Sequence, residues 1–235
     1  MDENLTSSVC PSQDIRNLVS QFGRLENCTV IEGSLQILLI DYANPSEYNQ
    51  ISFPDLVEIT EYMLLYRVYG LKSLSQIFPN LAVIRGQTLF FNYAFVAFEM
   101  PDMEELGLWG LTQIVRGAIR VEKNPKLCYL NTIDWMRITN MKLEDNFFVE
   151  NKDIDECVNV CPRRTDGGPR CPAMEVMLDS GDKVHQQLCW TGDHCQKAVA
   201  GRDVASSYCL QDGSTTVLLV MKTKGYWPIL AFSSP

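Results

Sequence analysis

The sequence is short of histidine, of basic residues and of long apolar runs. It has two histidines in 235 residues, and 20 basic side chains against 29 acidic ones give a formal net charge of −9. A nucleic-acid-binding protein normally carries a basic patch, so we expect no nucleic-acid partner. The longest apolar candidate, residues 214–233, is interrupted by Lys222, Lys224, Gly225 and Pro228. It is too broken to predict a membrane-spanning helix, and direct membrane contact is not expected.

The sequence also begins without an export signal. Asp2 and Glu3 follow Met1, where an export signal has a basic stretch and then an apolar run. We therefore expect a trimmed chain or an incomplete gene model, and a secreted product would need a signal upstream of Met1. Glycosylation sequons begin at Asn4 and Asn27, and these favour a secretory route.

Cysteine is scarce before residue 157 and dense after it. Only Cys10, Cys28 and Cys128 precede that point, whereas six of the nine cysteines lie between Cys157 and Cys209. A dense cysteine cluster after an apolar, cysteine-poor segment is typical of a disulfide-held module joined to a self-sufficient domain. Because nine is an odd number, pairing leaves one thiol over.

A repeat runs through the first 150 residues. Strand-like stretches recur at steps of 28, 25 and 30 residues around four isoleucines, Ile31, Ile59, Ile84 and Ile114. Each is followed by a second predicted strand, at residues 35–40, 63–68, 89–98 and 118–122. Periods of this length predict a solenoid, in which each coil buries its apolar face against its neighbours.

The residues before the first repeat predict a cap. Residues 14–25 carry apolar side chains at helical spacing, which predicts an amphipathic helix over the open end of the solenoid. A bridge between Cys10 and Cys28 would close the loop around this helix. Closing a loop of that size contributes about 3 kcal/mol in the chain-entropy model.

Strand alternation predicts a surface patch, because residues two apart lie on the same face. Such pairs occur on successive coils: Gln36 and Leu38, Phe91 and Tyr93, and Arg120 and Glu122. Stacking would bring them together as aromatics rimmed by charge, a composition that favours protein binding. The alternative is that aromatics such as Phe90 and Phe95 fill the solenoid interior.

Catalytic and metal-binding interpretations have weak support. His185 and His194 lie near Cys189 and Cys195, which would allow a zinc site or a Cys–His nucleophile pair. The spacing lacks the paired C-x2-C of a zinc signature, so we expect no metal, no cofactor and no catalytic residue. Kinase signature strings and a glycine-rich phosphate loop are missing. Glu122 is expected to lie at a solvated strand end rather than to act as an acid or base.

Five strings carry a resemblance to a known family: LENC at 25–28, FPNL at 78–81, VIRG at 83–86, LFFNYA at 89–94 and HCQK at 194–197. With further collinear matches from about Cys10 to Lys197, the sequence resembles the amino-terminal ectodomain of the insulin and insulin-like growth factor receptor family of receptor tyrosine kinases. Residues 99–101 and 116–123 resemble the insulin receptor-related branch somewhat more than the others.

The resemblance implies a mainly β fold. Residues 1–156 would form a right-handed β-helix, the receptor L domain, and residues 157–197 would begin a disulfide-rich furin-like region. Residues 198–235, with Cys209, would be a divergent tail of unknown structure. The implied disulfides are Cys10–Cys28, Cys128–Cys157, Cys161–Cys189 and Cys171–Cys195. The kinase of the full-length family lies outside this chain, which is expected to be a non-enzymatic ectodomain fragment on the extracellular side of the plasma membrane.

The resemblance also implies a hormone-binding site on the β-helix sheet. An insulin-like peptide would bind there, and the remainder of the receptor and a second receptor chain would be further partners. Asp41 stands where the insulin receptor has an aromatic residue, and Tyr66 stands where phenylalanine is usual. These departures leave two alternatives open, a truncated secreted decoy and a receptor-related ectodomain that does not bind insulin. The implied contact residues are Asp14, Arg16, Asn17, Gln36, Leu38, Tyr66, Phe90, Phe91, Asn92, Tyr93, Phe98, Arg120 and Glu122.

Overall fold

Parallel strands stacked coil upon coil form most of the chain. The computed structural model describes residues 8–139, 145–177 and 182–197, all of which lie in one unit of the chain, residues 1–199. Within these residues nine strands join a single sheet, and two further strands form a separate hairpin.

The 13-residue strand β2 (Cys28–Ile40), which follows β1 (Ser8–Arg16), divides the sheet into two ribbons. Its first half pairs with the short-strand ribbon of parallel strands β3 (Glu58–Ile59), β5 (Val83–Ile84) and β7 (Gln113–Ile114). Its second half pairs with the long-strand ribbon of parallel strands β4 (Met63–Val68), β6 (Tyr93–Phe98), β8 (Ala118–Glu122) and β9 (Phe147–Val149). Successive coils therefore supply one strand to each ribbon, which confirms the predicted mainly β architecture and gives the parallel pairing that a β-helix requires.

The anchor isoleucines explain why the coils stack. Ile31 lies beside Ile59 in the parallel register, Ile59 beside Ile84, and Ile84 beside Ile114, and all four are buried. Burying one such side chain stabilises the folded state by about 1.5–3 kcal/mol. The same residue type at the same place in each coil therefore builds one continuous core.

The predicted amino-terminal helix is wrong in its first part. Residues 14–16 belong to β1, which pairs in parallel with β2, and only Val19–Leu25 is helical, as a 3-10 helix. Pairing with β2 satisfies the backbone groups of residues 14–16, and this non-local interaction outweighs the local helical spacing. Phe22 and Leu25 still pack into the core. The strand predicted at 89–98 begins only at Tyr93, because a turn precedes it.

The rest of the described chain is irregular and held by disulfides. A five-residue helix α1 (Trp135–Thr139) precedes β9, and the antiparallel hairpin β10 (Ala173–Met177) and β11 (Lys183–Gln187) lies near the end of the unit. Short 3-10 helices occur at Pro45–Tyr48, Leu130–Thr132 and Ile154–Glu156. Among the described residues, no helix has the length and apolar character needed to cross a bilayer.

Four disulfides join the eight described cysteines, and the pairs are the same as those that the resemblance implies. They are Cys10–Cys28, Cys128–Cys157, Cys161–Cys189 and Cys171–Cys195. Each bridge closes a stretch of 18 to 29 residues, and cross-links of this span restrict the unfolded chain. Cys209 lies outside the described residues.

Candidate functional site

The long-strand ribbon carries two rows of outward-facing residues, which we call the outer face. Parallel strands in register bring equivalent positions of successive coils side by side. The first row runs from β1 to β9 through Asp14, Gln36, Leu64, Val96, Arg120 and Phe147. The second row runs through Arg16, Leu38, Tyr66, Phe98, Glu122 and Val149. Six of the sequence-predicted contact residues thus lie in the rows on β2, β4, β6 and β8, and Asp14 and Arg16 extend them onto β1.

The floor of the outer face is apolar and separate from the main core. Leu38, Leu64 and Val96 are buried although they point away from the solenoid interior, because aromatic side chains cover them. The covering rings are those of Tyr62, Tyr66, Phe90, Tyr93 and Phe98. Four of these rings, those of Tyr66, Phe90, Tyr93 and Phe98, line an open depression of about 330 Å³. Aromatic side chains and flanking charges therefore lie on one surface, as the strand alternation predicts. Of Phe90 and Phe95, the two aromatics that could have filled the solenoid interior, only Phe95 belongs to the main core.

A tight turn displays one aromatic above the floor. Phe90 and Tyr93 exchange backbone hydrogen bonds of 3.0 Å across the turn, and Phe91 between them has a φ of 55°. A bulky residue rarely adopts this left-handed conformation, so the turn holds Phe91 against a conformational cost. The Phe91 side chain is 80% exposed and meets the ring of Phe90 edge-on at 5.0 Å between centroids. Asn92, also a predicted contact residue, is exposed in the same turn.

Charged residues border the face at β8. The Arg120 guanidinium donates a 2.8 Å hydrogen bond from Nε to the Glu122 carboxylate. Glu122 is buried, so the expectation of a solvated strand end is wrong. The Arg120 carbon Cζ also lies 4.9 Å from the ring centroid of Phe147 and 5.7 Å from that of Tyr93. Contacts of this kind attract the cation to the aromatic face. The ion pair and the rings together hold Arg120 in one orientation at the edge of the depression.

A second charged border lies at β1. Arg16 and Asp14 form an exposed ion pair, and the hydrogen bond to Asp14 raises the pKa of Arg16. Asn17 follows with a φ of 66°, where the chain turns away from the strand. Charged pairs on β1 and on β8 therefore flank the apolar middle of the face.

Several residues of this face were missed by the sequence analysis. Leu64 and Val96 form the floor, and the signal that could have found them is their position two residues before Tyr66 and Phe98. Tyr62 accepts a 3.0 Å hydrogen bond from the amide of Gln36, a contact between coils that no local pattern predicts.

A neighbouring charged depression lies beyond the strand ends. Arg67 lies near the end of β4, Glu99 follows β6 and Lys123 follows β8, and each has a positive φ. Arg67 pairs with Glu99, which raises the pKa of Arg67 through their hydrogen bond. The exposed Asp41 lies in this depression. Of the two positions at which the resemblance implies a departure from the family, Asp41 is thus separate from the apolar floor, whereas Tyr66 packs on it.

The zinc and thiol interpretations are wrong for these cysteines, because Cys189 and Cys195 are in disulfides with Cys161 and Cys171. The ring of His194 instead stacks on Trp109, with 4.7 Å between centroids. In the part of the chain that the structure describes, no group of three acidic, cysteine or histidine side chains is arranged to hold a metal ion. Of the two sequons, Asn27 is exposed and Asn4 lies outside the described residues.

Comparisons with known proteins identify the family of this chain. Residues 27–139 match the receptor L domain family. The chain is 56% identical over 189 residues to an insulin-like peptide receptor of Branchiostoma lanceolatum, which covers 80% of this chain and 13% of that protein. It is 52% identical over 206 residues to an insulin receptor of Xenopus laevis, which covers 87% of this chain and 15% of that protein.

An insulin receptor-related protein of Cavia porcellus is 47% identical over 192 residues, covering 82% of this chain and 14% of that protein. Overall identity therefore does not favour the related branch, and that preference stays a prediction. The chain spans about one seventh of the length of these relatives. With a receptor L domain and identity of this level over most of its residues, the chain belongs to the insulin receptor family.

Proposed function

We propose that this chain is the ligand-binding part of an insulin-type receptor and that an insulin-like peptide hormone binds on the outer face. The observation that carries the proposal is the apolar depression on the outside of the long-strand ribbon. The names of the relatives, which include an insulin-like peptide receptor, support the same ligand class.

The composition of the outer face suits a peptide partner. Apolar side chains at the centre supply the contact area that is removed from water, and aromatics dominate such binding hot spots. Phe91 is 80% exposed and has a positive φ. Because its side chain makes little contact with the core, core packing does not explain why an aromatic residue stands at this position. Charged pairs at the border, such as Arg120 with Glu122, would steer and orient the ligand more than they strengthen binding.

The wider organisation is part of the same proposal. Residues 1–156 would be a right-handed β-helix, residues 157–197 the start of a furin-like region, and residues 198–235 a divergent tail. The chain would lie on the extracellular side of the plasma membrane. In the whole receptor, hormone binding here would rearrange a dimer with a second receptor chain and activate a kinase outside this chain. The four disulfides, which suit an oxidising compartment, support this location.

A second candidate function is that of a receptor-related ectodomain that does not bind insulin. A truncated secreted decoy would be a variant of the first candidate, because it would also bind the hormone. Asp41 favours the second candidate, because this exposed acid stands where the resemblance implies an aromatic contact. Under the second candidate, Phe91→Ala would leave receptor function unchanged. Under the first, the same substitution removes a central contact.

The test measures the binding of labelled insulin and insulin-like growth factors to the oxidised chain by fluorescence anisotropy. Truncation of a hot-spot aromatic costs roughly 2 kcal/mol or more, so Phe91→Ala should weaken binding by about 30-fold. Val158→Ala is the matched control, because Val158 is 78% exposed and lies outside the outer face. If no labelled peptide binds displaceably while circular dichroism reports an intact fold, the binding proposal is wrong.

A further inference from the structure

A small hairpin away from the outer face carries three exposed arginines. We call residues 162–170 the arginine hairpin, after Arg163, Arg164 and Arg170. Arg163 lies opposite Pro169 in an antiparallel bridge. The backbone amide of Arg164 donates to Gly168 at 2.8 Å, and that of Arg170 donates to Pro162 at 2.9 Å.

The hairpin is fixed at its base. Cys161 and Cys171 flank it, and they form disulfides with Cys189 and Cys195. The turn itself is closed by a 2.9 Å hydrogen bond from the amide of Gly167 to the carbonyl oxygen of Arg164. Backbone bonds and disulfides therefore hold the hairpin, and the arginine side chains are not needed to fold it.

The charges of this hairpin are largely uncompensated. Several basic side chains elsewhere in the described residues pair with carboxylates, as Arg85 does with Glu58 and Arg120 with Glu122. Within residues 8–139, 145–177 and 182–197, by contrast, neither Arg163 nor Arg170 takes part in an ion pair. Arg164 pairs only with Asp166 at 3.2 Å, and both side chains are 62% exposed. Such exposed pairs contribute little, so a polyanion can displace Asp166 at small cost.

The hairpin has charge but no apolar contact area. Between Arg163 and Arg170 the sequence holds threonine, aspartate, glycine and proline, with no aromatic and no large aliphatic residue. A protein hot spot needs buried apolar anchors, and single-stranded nucleic acid needs aromatic rings for stacking. All three cations are arginines, whose planar guanidinium matches an oxyanion with two parallel hydrogen bonds.

We propose that the arginine hairpin binds a sulfated polysaccharide of the glycosaminoglycan type. Sulfate groups spaced along a flexible chain supply several oxyanions to the guanidinium groups without needing an apolar contact. This binding site is distinct from the outer face and goes beyond the proposed hormone binding. The proposed extracellular location determines only whether the hairpin meets such a polysaccharide in the organism. Binding to the purified chain can be measured whether or not that location is correct.

The experiment measures the affinity of the oxidised 235-residue chain for heparin by surface plasmon resonance at several salt concentrations. Each neutralised charge adds to the salt dependence, and three arginines give a slope of log K against log salt of about −2. The triple variant R163Q/R164Q/R170Q should bind at least about tenfold more weakly and lose most of the slope. The control K72Q/R116Q/K152Q removes the same charge elsewhere and should bind as the native chain does.

Three results would overturn the proposal. One is native affinity in the hairpin variant, and another is an equal loss of affinity in the control variant, which would indicate net charge alone. The third is equal binding to hyaluronan, to phosphatidylserine vesicles or to single-stranded DNA, since the site would then not select a sulfated polysaccharide. Labelled peptide binding to the hairpin variant, measured in parallel, separates failure here from failure of the hormone-binding proposal.

Discussion

Arg120 and Glu122 point outward from the same strand and are joined by a hydrogen bond of 2.8 Å at the edge of the outer face. The Glu122 side chain is only 10% exposed, and its charge is compensated by the Arg120 guanidinium and, at 4.0 Å, by the Lys123 ammonium. The pair therefore links the stability of β8 to the charge that the face presents.

Removing Arg120 should destabilise the fold more than removing both members of the pair. Arg120→Ala leaves a mostly buried carboxylate without its closer ionic partner, at a cost of about 1–3 kcal/mol in the free energy of unfolding. The double variant Arg120→Ala with Glu122→Gln should recover part of this loss, because the orphaned charge is gone. Urea unfolding of the four members of this double-mutant cycle measures the coupling. Strictly additive single effects would contradict this account.

Asn124 should be among the most sensitive polar positions of the solenoid. Its buried side chain donates to the carbonyl oxygen of Ala97 and to Asn151, and it accepts a 2.9 Å hydrogen bond from the amide of Met100. Asn124→Ala orphans these groups, and we expect a loss of about 2–4 kcal/mol in the free energy of unfolding. Asn80 is the matched control, because it is exposed and donates to the carbonyl of Pro54 across coils.

For Asn80→Ala we expect a loss of less than about 1 kcal/mol, since water can replace its hydrogen bond. Guanidinium-induced unfolding of both variants at pH 7 makes the comparison. Equal losses at the two positions would mean that burial of the asparagine does not decide the cost.

Glu105 should make the fold less stable as the pH rises through the acid range. Burial raises the pKa of Glu105, so the folded state binds its proton more tightly than the unfolded state does. The contribution of Glu105 to the free energy of unfolding is therefore present below the ordinary glutamate pKa. It is lost as the pH rises through the raised pKa of Glu105. Glu105→Gln should therefore remove a fall in unfolding free energy that the native chain shows over this range.

Asp102 provides a control of opposite sign. The hydrogen bond from Lys126 and one from the amide of Gly70 lower the pKa of Asp102. Its contribution is present above the ordinary aspartate pKa and is lost as the pH falls through the lowered value. Asp102→Asn should remove that loss at low pH. Urea unfolding curves at closely spaced pH values measure the unfolding free energy of both variants. If this free energy changes with pH equally in the native chain and in Glu105→Gln, the Glu105 prediction is wrong.

Local sequence patterns predict the interior of this fold better than its covered exterior. The isoleucine anchors and the second strands follow from spacing, because each coil repeats the same burial. The pairing of residues 14–16 with β2 is non-local and overrides a helical pattern. Leu64 and Val96 read as ordinary strand residues, and only the rings of other coils make them a buried floor on the outside of the sheet. The turn at Phe91 likewise depends on a conformation that its residue type disfavours.

The steps between anchors vary from 25 to 30 residues, yet the rows of the outer face stay in register from β2 to β8. Differences in coil length are therefore absorbed in the connecting segments between the strands. One coil can change its two displayed residues without moving those of its neighbours. The side chains of the face can thus be changed one coil at a time, with the backbone left as it is.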